Sequence, residues 1–213
     1  MNNYTLVNKY YKTYITPDEK DALFEKIIND MQKNKTPIEN PLAFFIMGHP
    51  GSTKSTFTKN MINDNTIVLD VDIIKMNYMP DYKKNMNIDY KKQVSKYINE
   101  KATLHTWFFK RIVKYFIKKA KYNLIFENVC SYLPYCSKMI KKLNRYKYTI
   151  KFYGLHMNDF EKVKEYLHKR FLETGRYIPK TYIEDTYKSN LERIYKFIEE
   201  NLKYLKHYEV IIF

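Results

Sequence analysis

One stretch, Pro41-Leu-Ala-Phe-Phe-Ile-Met-Gly48-His-Pro-Gly51-Ser-Thr-Lys54-Ser55-Thr56, constrains this chain more than any other. Leu42 to Met47 is a six-residue apolar run, which suits a strand covered on both faces, as in a parallel sheet. Gly48 to Ser55 then fits the phosphate loop G-x-x-x-x-G-K-[ST] with one departure, because Thr53 stands where the second glycine is expected. A β-branched residue tolerates a positive φ poorly, so Thr53 is the weakest point of the match. The residues after it, Ser55-Thr-Phe-Thr-Lys-Asn-Met, are compatible with a helix. A strand, loop and helix in this order aim backbone N–H groups and a helix N-terminus at phosphate oxygens.

The rest of the chain repeats the alternation of strand and helix. Thr16-Pro17-Asp18-Glu19 is a helix start, and Leu23, Phe24, Ile27, Ile28 and Met31 follow at helical spacing. Further strands are expected at Ile67–Leu69, Asn123–Phe126, Tyr148–Leu155 and Val210–Phe213. Helices are expected over about 94–121, over 134–144, from an Asn158 cap to Glu173, and as one long helix over about 181–205. Residues 1–15 read as a loose arm, and 73–92 as a substrate-side loop with short helical turns. The expected fold is α/β, one domain over 1–213 with a mostly parallel five-stranded sheet and helices on both faces.

The net charge of +15 is spread along the chain and would attract nucleic acid or a polyanionic substrate such as a nucleotide. No apolar run approaches the roughly 18 residues of a membrane span, and no secretory h-region is visible at the N-terminus. Cys130 and Cys136 form no metal pattern and no disulfide framework, so they read most simply as reduced thiols in a cytoplasmic setting.

Phosphoryl transfer needs a phosphate cradle, a metal site, a base for the acceptor hydroxyl, and cations for the transferred group. The cradle is expected from Gly48, His49, Pro50, Gly51, Ser52, Thr53, Lys54, Ser55 and Thr56. Lys54 would reach the β/γ-phosphates, and the Ser55 hydroxyl would hold Mg2+. Asp70 and Asp72 follow an apolar strand, where carboxylates overlie the ligand crevice of an open sheet. Asp72 is the candidate base, and Asp70 either supports the metal or caps the next turn. Glu127 ends another apolar strand and would hold a metal-bound water or, with Asn128, a substrate hydroxyl. Arginines are few, yet Arg170 and Arg176 flank the helix break at Gly175, which suits a lid over about 168–180. His49 lies in the loop at a position that accepts any residue, and His156, His168 and His207 have no metal-ligand spacing.

These pieces together resemble the zeta toxin family of P-loop kinases. Gly48-His-Pro-Gly-Ser-Thr-Lys-Ser-Thr56 resembles the family's G-x-P-G-x-G-K-[ST] loop. Asp70-Val-Asp72, with Pro80-Asp-Tyr82 downstream, is similar to its D-x-D segment. Tyr122-Asn-Leu-Ile-Phe-Glu127 is similar to its strand ending in an acidic residue, and Lys169-Arg170 to Arg176-Tyr-Ile-Pro179 to its lid. The resemblance implies transfer of the γ-phosphoryl group of ATP or GTP, with Mg2+, to a hydroxyl acceptor, a UDP-activated amino sugar in the best-known members. It implies Asp72 as base, Ser55 as magnesium ligand, Lys54, Arg170 and Arg176 as phosphate clamps, and leaves room for an antitoxin-like protein partner. The family's acidic-then-hydroxyl acceptor signature becomes Glu127-Asn128-Val129, without the hydroxyl. Two other functions stay open: a polynucleotide or nucleoside kinase, and a nucleotide-binding module without catalysis.

Overall fold

A computed structural model describes residues 17–78 and 103–213. The expected arm, most of the 73–92 loop with Pro80 and Tyr82, and the first part of the 94–121 helix lie outside these residues. Helix α1 (Pro17–Gln32) precedes strand β1 (Leu42–Gly48), the short helix α2 (Lys54–Thr58) and strand β2 (Thr66–Leu69). Then come α3 (Val71–Tyr78), α4 (Thr103–Lys118), β3 (Asn123–Asn128), α5 (Leu133–Arg145) and β4 (Thr149–His156). The chain ends with α6 (Phe160–Thr174), α7 (Lys180–Lys188), α8 (Asn190–Asn201) and β5 (Leu205–Ile212).

The five strands form one parallel sheet in the order β2-β3-β1-β4-β5. β1 is central because its run is apolar on both faces, as a strand between two helical layers must be. Ala43, Phe45 and Met47 join the main core with Ile27 of α1, Phe116 of α4, Ile140 of α5 and Phe197 of α8. Phe45 stacks on Phe126, Phe152 and Phe197 with ring centroids 5.3–6.4 Å apart. Burying each such ring contributes about 2 kcal/mol. Ile46 points the other way and packs with Ile125, Leu155 and Phe57.

Strand register sets the site. Met47 of β1 lies level with Asn128 of β3 and Gly154 of β4. Leu69, the last residue of β2, lies level with Phe126. The residues that follow these strands therefore meet at one end of the sheet: the phosphate loop, Asp70, and the segment from Glu127.

The chain departs from several sequence expectations. The long helix over 181–205 is two helices, broken at Ser189, with a 3₁₀ turn at Leu202–Tyr204. Just past the break Asn190 is buried, and its side-chain amide donates to the Leu155 carbonyl at 2.9 Å. The last strand starts five residues earlier than expected, at Leu205 rather than Val210, since its polar residues Lys206 to Glu209 sit on an outer strand. The cap of α6 is Asp159 rather than Asn158, its carboxylate accepting from the Glu161 and Lys162 amides at 3.1 Å. Cys130 and Cys136 are joined in a disulfide, with Cα atoms 6.0 Å apart, instead of being free thiols. The pairing arises because the β3–α5 turn folds Cys130 back over the first turns of α5.

Candidate active site

The phosphate loop is closed by its own backbone. Gly51 has φ +83°, and a Cβ there would come within 2.9 Å of Val163 on α6. A Cβ on Gly48 would lie 2.4 Å from the Ser52 hydroxyl and 2.8 Å from the Leu155 carbonyl. Thr53 does adopt the left-handed conformation that the missing glycine would favour, at φ 58° and ψ 23°. Such a conformation costs a β-branched residue of order 1–2 kcal/mol. Amides of Thr56 and Phe57 both donate to its carbonyl, so the helix start holds it there.

His49 is not a tolerated loop position. It is wholly buried, its Nδ1 donates to the Pro50 carbonyl at 2.7 Å, and its Nε2 accepts from the Met157 amide at 3.1 Å. This pins the loop to the end of β4. Burial first, then the nearby Lys54 charge, pull its pKa down from 6.5 to about 4, so the ring is neutral at pH 7. Gly48, His49 and Ser52 are buried and do not line the cavity; Pro50, Gly51, Thr53, Lys54, Ser55 and Thr56 do. Lys54 Nζ donates to the Gly48 and His49 carbonyls at 2.8 and 2.9 Å. Burial lowers its pKa to about 8, against the opposing pull of Glu127.

The cavity measures about 720 Å³. Its floor carries the three sequence-predicted carboxylates. Asp70 Oδ1 accepts from the Asp72 amide at 2.8 Å, which caps α3 as expected. Burial, and then the adjacent Asp72 charge, raise the Asp70 pKa to about 6. Glu127 Oε1 accepts from the Thr58 hydroxyl at 2.6 Å. Asp72 is buried in the first turn of α3, and Arg170 and Arg176 converge on it. Arg176 lies 2.5 Å and Arg170 3.8 Å from Asp72 Oδ2. Gly175, at φ 72°, ends α6 between the two arginines and lets the chain turn back over the floor. The Arg176 Nε is buried with no hydrogen-bond partner among the described residues.

The opposite wall was mostly not legible in the sequence. Val129 and Ser131 contribute from the loop after β3, Tyr166 from α6, Ile178 from the turn after Gly175, and Tyr182 from α7. The Ser131 and Tyr182 hydroxyls are 2.6 Å apart, and Arg193 of α8 donates to the Val129 carbonyl at 2.9 Å. Tyr182 is one of 22 tyrosines, and nothing in its local pattern marks it.

Among the described residues no group of three or more His, Cys, Asp or Glu side chains forms a ready metal cage. The donors present are all oxygens: the Ser55 hydroxyl and the Asp70 and Glu127 carboxylates. That set fits Mg2+, which is held by one or two carboxylates together with substrate phosphates rather than by a full protein cage.

Comparison with known proteins follows this geometry. The model of the Zeta toxin family matches residues 25–212. The chain belongs to the Zeta toxin family. No curated protein matches it. Among solved structures it is similar to one described as the PezAT chromosomal toxin–antitoxin system of Streptococcus pneumoniae, at 15% identity and a TM-score of 0.65, covering 92% of this chain and 77% of that one. It is similar to the AvrRxo1-ORF1:-ORF2 complex at 14% identity and a TM-score of 0.57, covering 92% and 64%. The same complex with ATP aligns at 12% identity and a TM-score of 0.54, covering 92% and 68%. At these identities the likeness is one of fold, an α/β parallel sheet flanked by helices. No helix among the described residues is long and apolar enough to cross a membrane.

Proposed function

We propose that this protein is a kinase that transfers the γ-phosphoryl group of ATP or GTP to a small-molecule hydroxyl acceptor. The observation that carries this reading is the convergence of six groups of the expected types on one cavity. Lys54, Ser55, Asp72, Glu127, Arg170 and Arg176 arrive there from four separate stretches of chain.

In this reading the loop amides and Lys54 hold the donor phosphates. Ser55, with Glu127 or Asp70, would hold Mg2+, whose charge would offset that of the β- and γ-phosphates when bound. Asp72 accepts the acceptor's proton, and Arg170 and Arg176 turn from Asp72 to the transferred group. Asn128, beside Glu127 at the end of β3, helps seat the acceptor. A nucleotide sugar is the acceptor that the sequence resemblance implies. The described similarity to a toxin–antitoxin system and to a two-component complex supports a protein partner that inhibits this chain, and the ATP-bound relative supports ATP as donor.

The test is an acceptor screen with γ-labelled ATP and Mg2+, covering nucleotide sugars, nucleosides and oligonucleotide 5′ ends. A labelled product that disappears in Asp72→Asn is the expected result. A protein that binds ATP yet labels nothing and releases no ADP would instead be a nucleotide-binding module.

A further inference from the structure

Lysines run along the whole chain, but their excess over carboxylates is densest in one stretch, whose cations lie outside the cavity lining. Residues 103–147 carry eleven lysines and arginines against one carboxylate, Glu127, a net +10 of the chain's +15. Glu127 lies in the cavity floor, and Arg111 is paired with Asp21. The other cations lie on the polar faces of two amphipathic helices and in the turns that follow them. On α4, Lys110, Lys114 and Lys118 are exposed at four-residue spacing. On α5, Lys138, Lys141 and Arg145 are exposed and Lys142 is half-buried, at spacings of three and four.

The two stripes meet. Lys118 Nζ lies 6.0 Å from the centre of the Tyr146 ring, just past the end of α5. The Tyr148 hydroxyl donates to the Phe116 and Ala120 carbonyls at the end of α4. Lys118, Lys121 and Lys147 border one recess of about 240 Å³, with Glu39 its single carboxylate. Lys114 and Lys118 together depress the pKa of Lys142, second to its burial. None of these lysines pairs with a carboxylate among the described residues. The recess also contains Pro41 and Tyr148, which precede β1 and β4. It therefore sits where the strands begin, one strand length from the cavity, or about 20 Å.

Helix dipoles explain part of this pattern. Lys118, Lys142 and Arg145 lie in last turns, where a cation is favoured by a few tenths to 1 kcal/mol. Lys110, Lys114, Lys138 and Lys141 lie outside those turns, so the dipole does not account for them. A protein partner fits poorly, since the centres of such interfaces are depleted of lysine and anchored by exposed aromatic or aliphatic groups. Among the residues of this region whose side chains are described, Tyr132, before α5 and beside the cavity loop, is the one exposed large hydrophobic. A dense lysine array suits a partner with a charge on every repeat and no apolar anchor, contacted without regard to sequence.

We propose that the basic face of α4 and α5 is a binding surface for the phosphate backbone of nucleic acid, separate from the catalytic cavity. The proposal does not depend on the kinase reading. It also separates the charge from the idea of a nucleic-acid substrate, because none of these cations lines the cavity.

The experiment is fluorescence anisotropy of a labelled 20-nucleotide single strand between 50 and 200 mM KCl. With about five phosphate contacts, the log–log salt slope should be about −3.5, so affinity falls about 100-fold over that range. The variant Lys114→Gln/Lys118→Gln/Lys141→Gln should flatten the slope to about −1.4 and weaken binding at least tenfold at 50 mM. Its ATP affinity should stay at the wild-type value, which shows that the chain is folded; the matching Lys→Arg variant should bind the strand normally. Absence of binding at 50 mM KCl, a variant with the wild-type slope, or equal displacement by polyglutamate at matched charge would each overturn the proposal. All three leave the cavity and its chemistry untouched.

Discussion

The phosphate loop leaves β1 and the Val129–Tyr132 loop leaves β3, one strand away, yet they are held by different means. The first is closed within eight residues. Two glycines make room, backbone amides cap α2, Lys54 folds back on the Gly48 and His49 carbonyls, and only His49 reaches out to the end of β4. The second is tied from outside. The Cys130–Cys136 disulfide holds its start, Arg193 grips the Val129 carbonyl, and Ser131 meets Tyr182 across the cavity mouth. A loop whose shape comes from near neighbours is written as a motif. One whose shape comes from partners 50 or 60 residues away is not.

The difference can be tested directly, beginning with the floor that both loops share. Asp72→Asn should lower kcat about 10²–10⁴-fold while ATP affinity changes only a few-fold. A comparable loss of ATP affinity would move Asp72 from the acceptor side to the donor side. Lys54→Ala should lower kcat/KM about 10²–10³-fold. In the wild-type protein, donor affinity should fall as pH rises through about 8, where the buried ammonium loses its proton.

His49 gives a stability test of the self-contained loop. Its folded pKa of about 4 lies below its unfolded value of 6.5, so its contribution is complete above pH 6.5 and is lost as pH falls towards 4. Between pH 7.5 and 4.5 that loss is about 2–3 kcal/mol in urea unfolding, and His49→Gln should not show it. The externally tied loop has its own counterpart. Cys130→Ser opens a ring of six-residue separation and should cost about 2 kcal/mol, a loss that reductant reproduces in the wild type. The smallest effect belongs to Tyr182→Phe, which removes one hydroxyl of the Ser131 pair. It should raise acceptor KM a few-fold and leave ATP affinity alone; an equal change in both would join the two halves of the cavity into one.

What could be read in the sequence follows the same division. The parallel sheet was legible because apolar runs recur between amphipathic helices. Gly48 to Ser55, Asp70, Asp72 and Glu127 were legible because each directly follows such a run. The disulfide was not, since a spacing of six carries no pairing signal without the turn that folds Cys130 over α5. The burial of Asn190, just past the break at Ser189, was hidden because its partner, the Leu155 carbonyl, is thirty-five residues away. His49 looked dispensable because its partner, the Met157 amide, lies 108 residues further on.

The contact between Arg176 and Asp72 has a consequence for how position 72 is studied. The residue proposed for proton removal is also where the turn between α6 and α7 fastens, so any exchange there loosens that contact while deleting a chemical group. Turnover alone would credit both losses to chemistry. Proteolysis at the Gly175 bend, followed in the same variants, would tell them apart.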